Sequence, residues 1–313
     1  MKRFLLLATA TLIIASSAAA HSPKEWRKMK SDVNIFLVSD LGHKGCYNQK
    51  VVAALMNDMA GKIKPQCIVA TGDTHHGNGV KSIKDNDWEQ NFEDIYYHPR
   101  LKKLDWYAAI GNHEYRGNSQ ALLEYSQVNP RWKITERYYT HVFTNKGTSI
   151  RFIFIDTAPL IDKYRKNPKY ADSAKQDKSA QLQWLDQMLD QAKEDWVIVA
   201  GHHPIYAETD KNKTERENMQ ERVNSILCKH SNVDVYLSGH VHNFQHLRAK
   251  GCPIDYVINS SGAEGRKVKT IKQTRYCSGE AGFSVLSANK QELSIYMIDK
   301  NGNQLHRIHR TKR

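Results

Sequence analysis

VDVYLSGHVH (233–242) is six residues of strand followed by four of a different character. Val233, Val235, Tyr236 and Leu237 are β-branched or aromatic and apolar, without strict polar alternation, which suits a strand covered on both faces. Gly239 ends the run. His240 and His242 then stand one residue apart at a strand end, where neither can join the core. Two imidazoles at i and i+2 on an irregular loop reach two points a few ångströms apart, and that suits a pair of metal ions.

The same kind of run recurs along the chain: VNIFLVS (33–39), QCIVAT (66–71), WYAAI (106–110), RFIFI (151–155) and WVIVA (196–200). Helical patterns separate many of them. In 47–62, Val51, Ala54, Leu55 and Met59 recur at helical spacing; in 179–194, Leu182, Leu185, Leu189 and Ala192 share a face; 215–230 is similar. After residue 253, IDYVINSS, GFSVLSA, ELSIYMID and NQLHRIHR succeed one another across short turns and read as antiparallel strands. The charged stretch 162–178 reads as a long surface loop. Strand–helix units before a strand-rich end predict an α/β (α+β) chain, with sheets packed together and helices outside.

The residues just past the buried runs carry the chemistry. Asp40 lies in SDLGHKG, Asp73 in TGDTHHG, Asn112-His113-Glu114 in IGNHEYRG, His202 in AGHHPIY, and His240 with His242 in SGHVH. Five strands thus deliver carboxylate, amide or imidazole groups at their carboxyl ends, which is where α/β sheets build sites. These donors suit borderline divalent ions and ferric iron. Two such ions clamp the attacking and leaving oxygens of a displacement at phosphorus, and the nucleophile is a water that they acidify. No GxSxG nucleophile motif occurs.

The series of an Asp motif, GD, GNH with Asp or Glu, GH and GHxH resembles the calcineurin-like metallophosphoesterases. VAGHHP and GHVHNFQ, at this chain length, are similar to purple acid phosphatases of the small, tartrate-resistant type. The resemblance runs from about Asp32 to the last strand and implies a four-layer αββα sandwich of two mixed β-sheets flanked by helices, with one catalytic domain over 21–313. It implies Asp40 and His242 on a first metal, Asp73 bridging, and Asn112, His202 and His240 on a second. It gives His113 contact with the phosphate and assistance to the leaving group, as a general acid. The purple enzymes place an iron-binding tyrosine three residues after the bridging aspartate. Here that residue is His76, expected to bind the first metal as a neutral nitrogen ligand, without purple colour and with less preference for ferric iron over zinc, manganese or ferrous iron. His43, His75 and His203 flank the ligands and are expected to line the substrate pocket; His246 is placed to support a ligand.

Composition bounds the setting. Lys2 and Arg3, the apolar run 4–15 and small residues to Ala20 form the pattern of a secretory signal peptide, residues 1–20, shorter in its apolar part than a membrane span. The expected location is periplasmic or secreted, with no membrane anchor. A formal net charge of +13 favours anionic partners, here a small phosphate ester; the only dense basic cluster is the tail 306–313, so no specific nucleic-acid partner is expected. Five cysteines without a CxxC leave at least one thiol unpaired, with Cys67 inside a strand-like run and the pairing of the others open. The leading reading is an exported phosphomonoesterase, acid phosphatase-like, with two metal ions (iron, zinc or manganese). The alternatives are a phosphodiesterase or nucleotidase of the same fold, and a metal- or phosphate-binding module without turnover.

Overall fold

A computed structural model describes residues 23–259 and 261–312, so the expected signal peptide lies outside the described residues. The strands run β1 Val33–Val38, β2 Cys67–Ala70, β3 Asp105–Ala108, β4 Tyr139–Asn145, β5 Thr148–Phe154, β6 Trp196–Ala200, β7 Val235–Ser238, β8 Phe244–Leu247, β9 Asp255–Asn259, β10 Thr274–Ser278, β11 Gly282–Ala288, β12 Glu292–Asp299 and β13 Gln304–Thr311. One sheet has the order β13-β12-β11-β1-β2-β3 and the other β10-β8-β9-β7-β6-β5-β4. Both are mixed. β1, β2 and β3 run parallel in the first, and β5, β6, β7 and β9 in the second.

The unbroken apolar runs arise from burial on both faces. Val33, Ile35 and Leu37 of β1 join Phe152, Phe154, Ile198 and Leu237 in the core between the sheets. Phe36 and Val38, pointing the other way, join Val52 and Met56 of the helix Gln49–Ile63. Burying each such side chain stabilises the fold by about 1.5–3 kcal/mol. Cys67 takes its place in the inter-sheet core, as expected, and Cys228 pairs with Cys252.

Three expectations change, and one strand is added. The buried face of Gln49–Ile63 is Val52, Met56, Met59, Ala60 and Ile63, while Val51 is half exposed. Residues 162–178 form helical turns, Asp162–Arg165, Pro168–Tyr170 and Ala171–Lys175, because the buried rings of Tyr164 and Tyr170 pack edge to face and anchor them. β9 belongs to the second sheet, parallel to β7 and antiparallel to β8, whereas β11, β12 and β13 form the expected antiparallel series. β4 has no unbroken apolar run to mark it in the sequence. It is a partly exposed edge strand, joined to β5 through Lys146 and Gly147, both with positive φ.

Candidate metal centre

The loops after β1, β2, β3, β6 and β7 meet, and their backbones are shaped by that meeting. Asp40, Asp73, His240 and His242 all have positive φ (49°, 50°, 77° and 57°), a region that non-glycine residues enter at a cost of about 1 kcal/mol or more and that tends to be kept where function needs it. Gly72 and Gly111 permit the approach: a Cβ on Gly72 would stand 2.6 Å from His202 Nδ1, and one on Gly111 would collide with Asp73. Glu114, named with its motif in the sequence but given no role there, is the buried tie. It accepts hydrogen bonds from the Gly111, Asp73 and His75 amides (2.8, 3.1 and 2.9 Å) and from the Thr74 hydroxyl (3.0 Å), locking the β2 loop to the β3 loop. Burial, with the Asp73 charge beside it, pushes its carboxyl up to about 7.

The side chains then converge. His202 Nδ1–H donates to the Thr71 carbonyl (2.8 Å), which leaves Nε2 pointing inward. Around Nε2 stand Asp73 Oδ2, Asn112 Oδ1 and His240 Nδ1, each at 3.2 Å. On the other side of Asp73, His242 Nε2 is 3.4 Å from Asp40 Oδ1, and the Asp40 Oδ2 atom accepts from the His240 amide (2.9 Å). Four donor triads, within each of which all ligand atoms lie within 4.8 Å of one another, can hold a metal ion: Asp40–Asp73–His202, His202–His203–His240, Asp73–His76–His113 and His43–His76–His242. Asp73 appears in two triads. Lone pairs gathered from five loops onto neighbouring points fit cations, and oxygen with imidazole nitrogen fits iron, zinc or manganese.

Electrostatics agree with that fit. Burial opposes the Asp73 charge, yet His202 and His113 outweigh it and hold the carboxyl well below the usual carboxylate range. Burial likewise opposes a charge on His202, but Asp73 lifts it to about 9. That proton is the one a bound cation would displace. His76 is lowered by burial to about 3 and His242 to about 4, and burial with the Lys211 charge holds His240 well below its usual value; neutral imidazole is the ligating form.

His76 sits in the middle of a ring stack, 3.7 Å from His113 and 4.4 Å from His43 between centroids, with Nε2 4.0 Å from Asp73 Oδ2. His113 donates from Nδ1 to the Gly77 carbonyl (2.8 Å) and turns Nε2 toward Asp73 Oδ2, 3.8 Å away. The three flanking histidines part company. All three carry a buried Nε2 without a hydrogen-bond partner, but only His43 and His203 join a donor triad. His75 corrects the expectation of a pocket-lining residue: it is fully buried, bonded to Asn91 (3.3 Å) and packed edge-on against Trp88. His246 also turns away, to Asp255 (2.7 Å) and His306 (3.1 Å).

Two carboxylates support the cluster from behind without any signature in the sequence. Glu215, buried on the helix Lys213–Met219, lies 3.0 Å from His240 Nε2 and accepts from Lys163 Nζ (2.6 Å) and the Tyr164 hydroxyl (3.0 Å). Glu264 lies 3.1 Å from His242 Nδ1. A carboxylate behind an imidazole fixes its tautomer and turns the other nitrogen's lone pair to a metal. On the near side, Lys211 Nζ is 3.3 Å from His240 Nδ1.

Two packed mixed sheets with flanking helices, and a cluster of this kind at their joined loops, define a metallophosphoesterase. The profile of the calcineurin-like phosphoesterase family matches residues 33–244, and the chain belongs to that family. Within it the chain is purple acid phosphatase-like, an enzyme of phosphoric ester hydrolysis: it is 30% identical to purple acid phosphatase 17 of Arabidopsis thaliana over 97% of this chain and 91% of that protein. It is 28% identical to human tartrate-resistant acid phosphatase type 5 over 76% of this chain and 77% of that protein. The fold overlays that of GAP50, described as the anchor in the inner membrane complex of Plasmodium, with a TM-score of 0.77 at 21% identity, covering 91% of this chain and 90% of that one.

Proposed function

We propose that the protein is an exported phosphomonoesterase, acid phosphatase-like, acting through one catalytic domain over 21–313 with two metal ions. The observation that carries the reading is the crowding of Asp73, Asn112 and His240 donor atoms 3.2 Å from His202 Nε2, beside Asp40 and His242. Asp40, His76 and His242 would hold one ion and Asn112, His202 and His240 the other, with Asp73 shared between them. When bound, such a pair acidifies water and neutralises charge building on the phosphoryl oxygens.

The chain's own groups do the rest. Glu114 and the Thr71 carbonyl fix Asp73 and His202 before substrate arrives, so little reorganisation is left for the reaction. His113, oriented by Gly77, passes a proton from Nε2 to the departing oxygen. Burial lowers its pKa, while the Asp73 charge beside it works the other way. Substrate choice is assigned to the turns of 157–178, whose Tyr164 packs against His203 (4.8 Å between ring centres). The signal-like residues 1–20 support export to a periplasmic or secreted location. Among the described residues no helix is long and apolar enough to cross a membrane.

The test is turnover of p-nitrophenyl phosphate and bis-p-nitrophenyl phosphate by purified protein with added zinc, manganese or iron. Faster release from the monoester supports the reading. Preference for the diester moves it to a phosphodiesterase, and metal uptake without release from either makes it a binding module.

A further inference from the structure

A cavity of about 480 Å³ adjoins the cluster and has no role in the steps above. Its walls come from residues 208–211 and 266–269, together with Val241 and Asn243 of the loop that carries His240 and His242. Lys211, Arg266, Lys267 and Lys269 line it together with two carboxylates, Glu208 and Asp210, and Arg266 is also paired with Glu264 (2.7 Å). Glu208 is already engaged, since its Oε2 accepts from the Lys269 amide (3.0 Å), while Gln245 bonds its backbone on both sides (2.9 and 2.8 Å). The opposite wall is stitched to the metal loop, with the Arg266 amide donating to the His242 carbonyl (2.7 Å). The cavity is therefore a built recess. It joins the reaction centre through Lys211, whose ammonium lies 3.3 Å from His240 Nδ1. Among the described residues no aromatic side chain lines it, so it offers no face on which a base or aryl ring would stack.

We propose that this recess receives a second phosphate group, so that the preferred substrates are small compounds bearing two phosphates, one hydrolysed at the metal pair and the other held by Lys211, Arg266, Lys267 and Lys269. The inference rests on the phosphomonoesterase reading. Ammonium and guanidinium groups around a recess suit a phosphate dianion better than a neutral group, and their attraction acts on both binding and encounter. A phosphate anchored away from the reacting centre supplies binding energy that positions the one being cleaved.

The experiment compares kcat/KM for fructose 1,6-bisphosphate and fructose 1-phosphate, by phosphate release, in the wild type, in the single and double variants of Lys267→Gln and Lys269→Gln, and in Lys290→Gln. Lys290 lies in the β11–β12 turn, at the opposite end of the first sheet from the site, because Ala288 pairs with Val33 at the start of β1. The wild type is expected to prefer the bisphosphate, and the double variant to lower the bisphosphate-to-monophosphate ratio on the order of tenfold, with each single variant in between. Lys290→Gln is expected to leave the ratio unchanged. A wild-type ratio near one, or a ratio unmoved in the double variant, overturns the recess as a phosphate site while monophosphate turnover still supports the phosphatase. An equal fall in Lys290→Gln reduces the effect to general charge and overturns it too. No release from either sugar phosphate or from p-nitrophenyl phosphate sinks the phosphatase reading itself.

Discussion

Two fully buried aspartates in this molecule, Asp73 and Asp255, solve the same problem in opposite ways. Asp255, on β9, is neutralised from within: His246 at 2.7 Å, Arg248 at 3.0 Å and Arg310 at 2.6 Å surround it, and they hold its carboxyl far below the usual range although burial works the other way. Among the described residues Asp73 has no guanidinium or ammonium as an ion-pair partner, only His202, His113 and His76. A buried carboxylate with permanent cations is a structural element. One ringed by imidazoles, of which His76 is kept neutral by burial, is the arrangement that a cation from outside would complete.

Four substitutions press on this contrast, the strongest first. Asp73→Asn should lower kcat/KM by about a thousandfold or more and release metal, with a melting curve close to the metal-free wild type. Unaltered metal content, by elemental analysis, would erase the distinction between the two aspartates. Asp255→Asn should do the reverse: metal is retained, and stability falls by about 2–4 kcal/mol in denaturant titration, because two arginines lose their partner. Its effect depends on pH with a fixed sign. A carboxyl whose folded pKa is depressed contributes stability above its unfolded pKa of about 4 and loses it as the pH falls further. The melting-temperature gap between wild type and Asp255→Asn should accordingly be full at pH 6 and narrow steadily below pH 4; a constant gap would show that the pairing is not the cause.

Glu215→Gln tests the support behind the cluster. The Gln side chain keeps the shape but not the charge behind His240, and affinity for one of the two metals should weaken by about 10–100-fold in a competition titration. Loss of both metals, or of neither, would contradict the role. His76→Tyr should, in iron-loaded protein, bring visible absorption that the wild type lacks. Colourless iron-loaded variant would remove His76 from the first metal.

Much of this was legible because a parallel strand's carboxyl end is a fixed address: Asp40, Asp73, Asn112, His202 and His240 needed only the end of an apolar run to be placed near one another. Legibility failed where a neighbour across the fold decides. In the helix Gln49–Ile63 every residue from Val51 to Met56 is apolar, so periodicity did not select Val52 and Met56 over Val51. His75 and His76 are adjacent in sequence, yet Trp88 and Asn91 claim the first and leave the second to the cluster. Glu215 reads as one more acidic residue of an amphipathic helix; only the approach of that helix to the β7 loop gives it His240. The turns of 162–178 were hidden by their charge, since the two tyrosines that anchor them are widely spaced among lysines and aspartates.

The decisive quantity is the metal content of the purified chain, by elemental analysis, after equilibration with limiting zinc, manganese or iron and removal of the free ion. Wild type should retain two ions per chain and Asp73→Asn fewer than one. A wild type that keeps none, or an Asp73→Asn protein that keeps as many as the wild type, would contradict the claim that this aspartate joins a pair of cations.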